Sequence, residues 1–286
     1  MNLMSILAKI YFRKITVSGN LKHEPGLYVS NHRIGAIDGL VLSYALGEQT
    51  KFIVGRNLTK YKYLSFIMGN QIDIYRQSKT MEELNYNRNQ LKKAAALTKE
   101  GYKVVLFPEG TSHLNRGLLP IKKGAALMVS FLDDRSVIPI GLHYEKGWSF
   151  RSDVFVRIGE RVEIQGKNLT VRTDEIRKQL ESVYDPDYVF PTVRKNRLLG
   201  LILSPIVLLF YITNILVLLI PYLAANRLAD DLNVICLWRM LFGVPLFMIQ
   251  SILYLLTLFI HPLIFVGYIL ITMLGFSLYG YWKKLF

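Results

Sequence analysis

His32 and Asp38 stand six positions apart in the stretch YVSNHRIGAIDG, residues 28–39. An apolar run ends at Ser30-Asn31, so the histidine falls where a strand gives way to a loop. A carboxylate beside an imidazole is a pair suited to general base catalysis. The carboxylate keeps one ring nitrogen protonated, and the other nitrogen can then take a proton from a hydroxyl. Each residue alone has an ordinary explanation. A single histidine is more often structural, and an aspartate at a helix start answers the helix dipole. No G-x-S-x-G elbow offers a serine nucleophile, and the spacing of a zinc site is missing. The reacting hydroxyl is therefore expected to come from a substrate.

A second concentration of chemistry lies in VVLFPEGTSH, residues 104–113. An apolar strand runs into Pro108, which sets a turn, and then Glu109. Gly110 permits close approach of backbone to a ligand, and Thr111 with the neighbouring N–H groups can hold an anion. Lys122-Lys123-Gly124 adds positive charge downstream. Arg76, after the run QIDIY, suits bidentate phosphate binding. Singly these read as a tight turn, a solvated glutamate and a surface arginine. Each follows a strand, however, as His32 does.

The elements that must position them alternate. Strands are expected at 26–30, 51–55, 71–76, 103–107, 136–142 and 153–159, and helices at 37–46, 60–68, 81–99 and 122–131. Ser78 or Thr80 caps the helix at 81–99, with Glu82-Glu83 in its first turn. The alternation predicts an α/β fold, a mixed, mostly parallel sheet flanked by helices. Ligands of such sheets bind beyond the carboxyl ends of the strands. No internal repeat is present.

The 286 residues are unevenly charged. Residues 1–197 carry 31 of the 35 Lys and Arg and 19 of the 21 Asp and Glu, a net +12. A basic surface seeks phosphates, of nucleic acid or of anionic lipid. No nucleic-acid-reading motif accompanies it, and the apolar remainder favours the membrane surface. Runs at 198–225, 238–260 and 262–282 are each about the 20 residues needed to cross a bilayer, so C-terminal transmembrane helices are expected. Arg194, Lys195 and Arg197 mark the cytoplasmic side of the first run, and Lys283-Lys284 places the C-terminus on the same side. That requires an even number of crossings, with the first run re-entrant and broken at Pro205 or Pro221; the lengths also allow three crossings. His261-Pro262 reads as a turn between the last two runs. The single cysteine, Cys236, is expected to be buried and inert, without an intrachain disulfide or a cysteine-based zinc cluster. The start, MNLMSILAKIYFRK, has its basic residues after its apolar run, unlike a signal peptide. It reads as an amphipathic helix, lying at an interface or packing on the domain.

The order N-H-x5-D, G-x6-R from Gly69 to Arg76, F-P-E-G-T and I-P-I-G at 138–141 resembles the four blocks of the phospholipid and glycerol acyltransferase family. The resemblance covers about residues 12–165. It implies an O-acyltransferase of phospholipid biosynthesis that moves an acyl chain from acyl-CoA or acyl-carrier protein to glycerol 3-phosphate or 1-acylglycerol 3-phosphate (lysophosphatidic acid). No metal and no redox cofactor is implied. His32 and Asp38 would be catalytic, with Arg76, Glu109, Gly110 and Thr111 binding the acceptor phosphate. Asn31, Arg116, Lys122, Pro139 and Gly141 would support them, the last two near the acyl side. The chain departs from the family in two places. Five residues rather than four separate His32 from Asp38, so the loop around Gly35 must absorb one. Ser112-His113 follows FPEGT where many lysophosphatidate acyltransferases carry arginine, and Arg116 is the candidate replacement. Both departures look more like the branch with glycerol-3-phosphate and dihydroxyacetone-phosphate acyltransferases. The expected division is an interfacial helix and lead-in strand at 1–20, an acyltransferase domain at 21–197 and a membrane-embedded tail at 198–286. The site would face the cytoplasm, at a bacterial inner membrane. A transacylase drawing on phospholipid, or a lipid-binding protein with a dead site, would share the same motifs.

Overall fold

The computed structural model describes residues 2–59, 69 and 71–286. It forms two compact units. One comprises residues up to 10, 15–144 and 154–188; the other comprises 11–14, 145–153 and 189–286. The elements that build the first unit are, in chain order, α1 (Leu3–Tyr11), β1 (Lys14–Gly19), β2 (Gly26–Ser30), α2 (Ala36–Leu46), β3 (Thr50–Gly55), α3 (Arg56–Thr59), β4 (Ile72–Ile74), α4 (Met81–Lys99), β5 (Lys103–Leu106), α5 (Gly124–Val129), β6 (Ser136–Tyr144), β7 (Asp153–Ile158), β8 (Val162–Glu163) and α6 (Leu169–Val183).

The sheet has the order β1-β7-β6-β2-β5-β3-β4, with β8 also paired to β6. β4, β3, β5, β2 and β6 run parallel, and β7 and β8 run antiparallel to β6. The fold is thus the mixed, mostly parallel α/β sheet that the alternation predicts. β2 is buried along its whole length. A strand covered on both faces reads as a continuous apolar run rather than an alternating one, and GLYVS is such a run. Leu27, Val29, Val104 and Leu106 pack in one core with Leu91, Ala94 and Ala95 of α4, Met128 of α5, and Ile176 and Leu180 of α6. α4 starts where its cap predicts: Thr80 Oγ1 accepts from the Glu83 N–H at 3.2 Å.

Some bounds differ from the sequence expectation. β4 stops at Ile74, so Arg76 lies two residues into the following loop. The helix expected at 122–131 is confined to Gly124–Val129. α6 and β8 have no counterpart among the expected elements. α6 is mostly polar and buries only Ile176, Leu180 and Val183, a stripe at helical spacing that is narrow against its charged faces. The helix expected at 60–68 lies outside the described residues. α1 buries Met4, Leu7 and Ala8 and exposes Leu3, Ile6 and Ile10. It is tied to α2 by the Asn2 side-chain amide, which donates to Ser43 Oγ at 2.9 Å.

The second unit contains α7 (Arg197–Thr213), α8 (Ile215–Leu228), α9 (Leu232–Leu256) and α10 (Pro262–Trp282). Residues 232–259 and 262–282 are long and apolar enough to cross a membrane, and α7 and α8 form a pair bent by 75°. Pro205 and Pro221 both lie inside helices, so the break in the first run is at Asn214 rather than at either proline. Apolar transmembrane helices tolerate proline where side chains and neighbouring helices satisfy the freed groups. At Asn214 the side-chain amide donates to the Phe210 carbonyl at 3.1 Å, competing locally with the helix ladder. His261-Pro262 forms the turn before α10, and Cys236 is buried.

Candidate active site

Four parallel strands end on one edge of the first unit, and each is followed by a loop residue of interest. β2 delivers His32, β3 ends at Gly55, β4 leads to Arg76, and β5 leads to Pro108, Glu109 and Gly110. His32 Nδ1 lies 2.8 Å from Asp38 Oδ2. Asp38 sits in the first turn of α2 and is fully buried. Its Oδ2 also accepts from the N–H groups of Arg33, at 2.6 Å, and Ile34, at 3.0 Å. Its Oδ1 accepts from the Tyr144 hydroxyl at 2.6 Å. A carboxylate so surrounded by donors can only accept, so Nδ1 carries the proton and Nε2 is left as the acceptor. The extra residue between His32 and Asp38 is absorbed ahead of α2, where Gly35 adopts φ +60. That conformation costs glycine little.

The imidazole stacks on Phe107, with ring centroids 4.3 Å apart. Its backbone is clamped by Glu109, whose Oε1 accepts from the His32 N–H at 2.8 Å. Glu109 Oε2 accepts from the Leu119 N–H at 2.7 Å and from His113 Nε2. Asn31 pins β2 to β6: its amide donates to the Leu142 carbonyl at 3.0 Å, and its oxygen accepts from the Leu142 N–H at 2.7 Å.

His32 opens onto a cavity of about 440 Å³ within the first unit. Arg76, Arg88, Lys122 and Lys123 also line it, and its remaining wall includes Phe52, Ile53, Ile74, Leu84 and Leu127. No carboxylate lines it, and none of the four cations is ion-paired among the described residues. Two glycines make room for the cations. A Cβ on Gly55 would collide with Arg76 Nε, and one on Gly110, at φ +70, would lie 2.6 Å from Lys122 Nζ. The cavity is therefore lined by the imidazole, four cations and a largely apolar remainder. It fits an anionic hydroxyl compound together with an apolar group.

The structure gathers His32, Arg76, Gly110 and Lys122 on this cavity, with Asp38 directly behind His32. It does not gather the others there. Glu109 is buried and its oxygens are occupied by three N–H donors, so it reaches the site through the His32 backbone rather than through an anion. Thr111 is exposed and off the cavity wall. Arg116 is exposed, pairs with Asp187 and does not line the cavity, and after FPEGT His113 stands against Glu109. Pro139 and Gly141 lie inside β6, away from the cavity lining. There a Cβ on Gly141 would collide with the Val183 carbonyl, and Pro139 packs against Gly159. Tyr144, Phe107, His113, Gly55 and Arg88 hold no assigned role in the sequence motifs. Of these only His113, four residues after Glu109, and Phe107, beside the FPEG turn, stood close enough in sequence to be found.

Residues 14–143 match the family model described as Acyltransferase. Two relatives from Saccharomyces cerevisiae, Glycerol-3-phosphate O-acyltransferase 2 and Glycerol-3-phosphate O-acyltransferase 1, are 41% identical over 70 residues and 37% identical over 65. Those stretches are 22% and 21% of this chain and only 9% of each relative's length. The crystal structure of the 1-acyl-sn-glycerophosphate (LPA) acyltransferase PlsC from Thermotoga maritima is similar with a TM-score of 0.44 and 17% identity, over 63% of this chain and 77% of that one.

Proposed function

We propose, from the match of residues 14–143 to the family model described as Acyltransferase, that the chain transfers an acyl group from a thioester to a hydroxyl of glycerol 3-phosphate or of its 1-acyl form, at a membrane. The observation that carries this reading is the His32–Asp38 pair opening onto a cavity with an apolar wall and four cations that make no ion pair among the described residues.

In this reading Arg76 and Lys122 hold the acceptor phosphate, a dianion that needs donors with no competing carboxylate. The acceptor hydroxyl lies against His32 Nε2, which takes its proton as the oxygen attacks the thioester carbonyl. Asp38 fixes the ring and stabilises the imidazolium that forms. The carbon–sulfur bond then breaks, and the thiolate takes the proton back from Nε2, so the ring ends as it began. The apolar wall around Ile53, Ile74, Leu84 and Leu127 receives part of the acyl chain. The donor is acyl-CoA or acyl-carrier protein, both anionic and both drawn to a basic surface. Arg194, Lys195, Arg197, Lys283 and Lys284 flank the apolar tail and favour a cytoplasmic position for the ends they occupy.

The experiment is acyl transfer by the purified chain in detergent. Acyl-CoA and acyl-carrier protein are offered in turn with glycerol 3-phosphate or lysophosphatidate. The expected result is one ester product with one acceptor. Product only when phospholipid is the acyl source would replace this reading with a transacylase. No product from any source would leave a lipid-binding protein without activity.

A further inference from the structure

We propose that the tail enters the bilayer from one face only. In this arrangement α9 and α10 cross as a hairpin, while α7 and α8 form a re-entrant V that reaches the midplane and returns within the same leaflet. The proposal rests on the membrane reading of the tail and is independent of acyl transfer.

Helix pairing within the second unit sets the directions. Along α7 and α10, Trp282 Nε1 donates to the Gly200 carbonyl and to Ser204 Oγ, both at 3.1 Å. Further on, Phe210 packs where a Cβ on Gly275 would stand, and the Asn214 amide donates to Thr272 Oγ1 at 3.2 Å. As α7 advances, its partners on α10 recede, so the two are antiparallel. Along α8 and α9, Gln250 Nε2 donates to Asn214 Oδ1 at 3.0 Å, Pro221 lies 3.7 Å from the position of a Cβ on Gly243, and the Arg239 guanidinium lies 4.9 Å from the Tyr222 ring centroid. α8 and α9 are therefore antiparallel too. α7 descends beside the end of α10, and α8 climbs back beside the start of α9.

Both upper levels are fixed by the segment 145–153. Arg239 Nη1 donates to the Trp148 carbonyl at 2.7 Å, and Lys283 Nζ to the Phe150 carbonyl at 2.6 Å. Lys284 Nζ lies 2.8 Å from both Glu145 and Asp153 carboxylates. The segment is one short stretch that makes all of these contacts, so they lie on one side of the membrane. The start of α9 and the end of α10 share its face.

Depth follows from helix rise. Gln250 is 11 residues from Arg239, and Thr272 is 11 from Lys283. At 1.5 Å per residue each lies about 16 Å below the basic level, roughly half of a 30 Å hydrocarbon core. Asn214, bonded to both, marks that depth. The bend is compatible with that depth. A symmetric V with a 75° change of direction has arms tilted about 52° from the normal. The 17 residues of α7 then descend about 16 Å. At the midplane Asn214, Gln250, Thr272 and Tyr268 bond to one another, which satisfies polar groups that lipid cannot. The far turn, around Thr257–Phe259, has no Asp, Glu, Lys or Arg and exposes Phe259 and Ile260. Apolar residues such as Leu201, Ile202, Leu208 and Leu216 are exposed on the V. They fit the acyl chains of the near leaflet, which would hold four helices where the far leaflet holds two.

The test uses single cysteines in a Cys236→Ser background, labelled with a membrane-impermeant maleimide on sealed vesicles of each orientation. Thr192→Cys precedes α7, Asp230→Cys lies between α8 and α9, and Ile260→Cys is at the far turn; all three sites are exposed. Labelling of T192C and D230C from one face, with I260C accessible only from the other, is the expected result. D230C and T192C on opposite faces would make α7–α8 a single broken crossing and overturn the proposal. I260C on the face of T192C would overturn the hairpin crossing. Release of the full chain by alkaline carbonate would instead remove the membrane reading itself, a failure separable from a wrong topology.

Discussion

Replacing Glu109 with glutamine separates two roles that its motif leaves entangled. In the structure its two oxygens accept from three donors, the His32 N–H, the Leu119 N–H and His113 Nε2. A glutamine has one oxygen to offer, and its NH₂ must face at least one of those buried donors. Leaving a buried donor unpaired costs about 1–3 kcal/mol, and converting the remaining charge-assisted bonds to neutral ones costs about 1 kcal/mol more. The expected loss is roughly 2–4 kcal/mol, which lowers Tm by about 5–12 °C for a domain of this size. The His32 backbone loses its anchor, and a misplacement of about 1 Å at a reacting group costs on the order of a hundredfold in kcat. The acceptor KM stays nearly unchanged. If the carboxylate instead faced the acceptor phosphate, removing its charge would tighten acceptor binding. Steady-state kinetics on the acceptor series, with Tm from a thermal melt, decide between them. An unchanged kcat and Tm with a lowered KM would refute the backbone-clamp reasoning.

Other perturbations follow from the same contacts. Arg76→Ala should raise the acceptor KM by about 10–100-fold, the worth of one or two charge-assisted hydrogen bonds, while kcat changes little. Arg116→Ala should leave both constants within about twofold, because its exposed pair with Asp187 is worth less than about 1 kcal/mol; a loss like that of Arg76→Ala would contradict this placement. Asn31→Ala strips the buried Leu142 N–H and carbonyl of their partners and should destabilise the first unit by about 2–4 kcal/mol in urea unfolding. Burial pushes the His143 imidazole down from 6.5 to about 4, with smaller contributions from Phe155 and nearby charges. The folded state then binds a proton less readily than the unfolded chain. Its stability is full above pH 6.5 and falls toward pH 4, by at most about 1.4 kcal/mol per pH unit. His143→Gln should flatten that slope in urea midpoints measured between pH 7.5 and 5, and an unchanged slope would remove the assignment.

Local signals carried much of this fold. The run GLYVS announced a strand covered on both faces, and Thr80 with Glu82-Glu83 announced α4. His32 and Asp38 were legible because both lie on one strand–loop–helix passage, where spacing constrains geometry. What was hidden depends on residues brought together from afar. Tyr144 reaches Asp38 across 106 positions because β6 neighbours β2 in the sheet, a pairing that neither stretch records. Glu109 looked like an anion-site residue because it follows a turn and precedes glycine. Its oxygens are filled by a backbone group 77 residues upstream and by Leu119, and no local pattern encodes that. The tail shows the opposite failure. Pro205 and Pro221 are strong local breakers, yet the chain bends at Asn214, where the side chain bonds back to Phe210 and across to Thr272. α6 leaves little trace in the sequence because three buried residues in 15 make a weak periodic signal.

The most direct test of the central claim is the rate of acyl transfer by His32→Ala beside the native chain, with the donor and acceptor that the proposed activity calls for. His32 contributes a ring nitrogen that only its side chain supplies, and its backbone bond to Glu109 survives the substitution. The account predicts a folded protein with a native-like melt and a kcat lower by about a thousandfold or more. A folded variant with near-native kcat would show that the proton leaves the acceptor by another route and would contradict the assignment of His32 as the base.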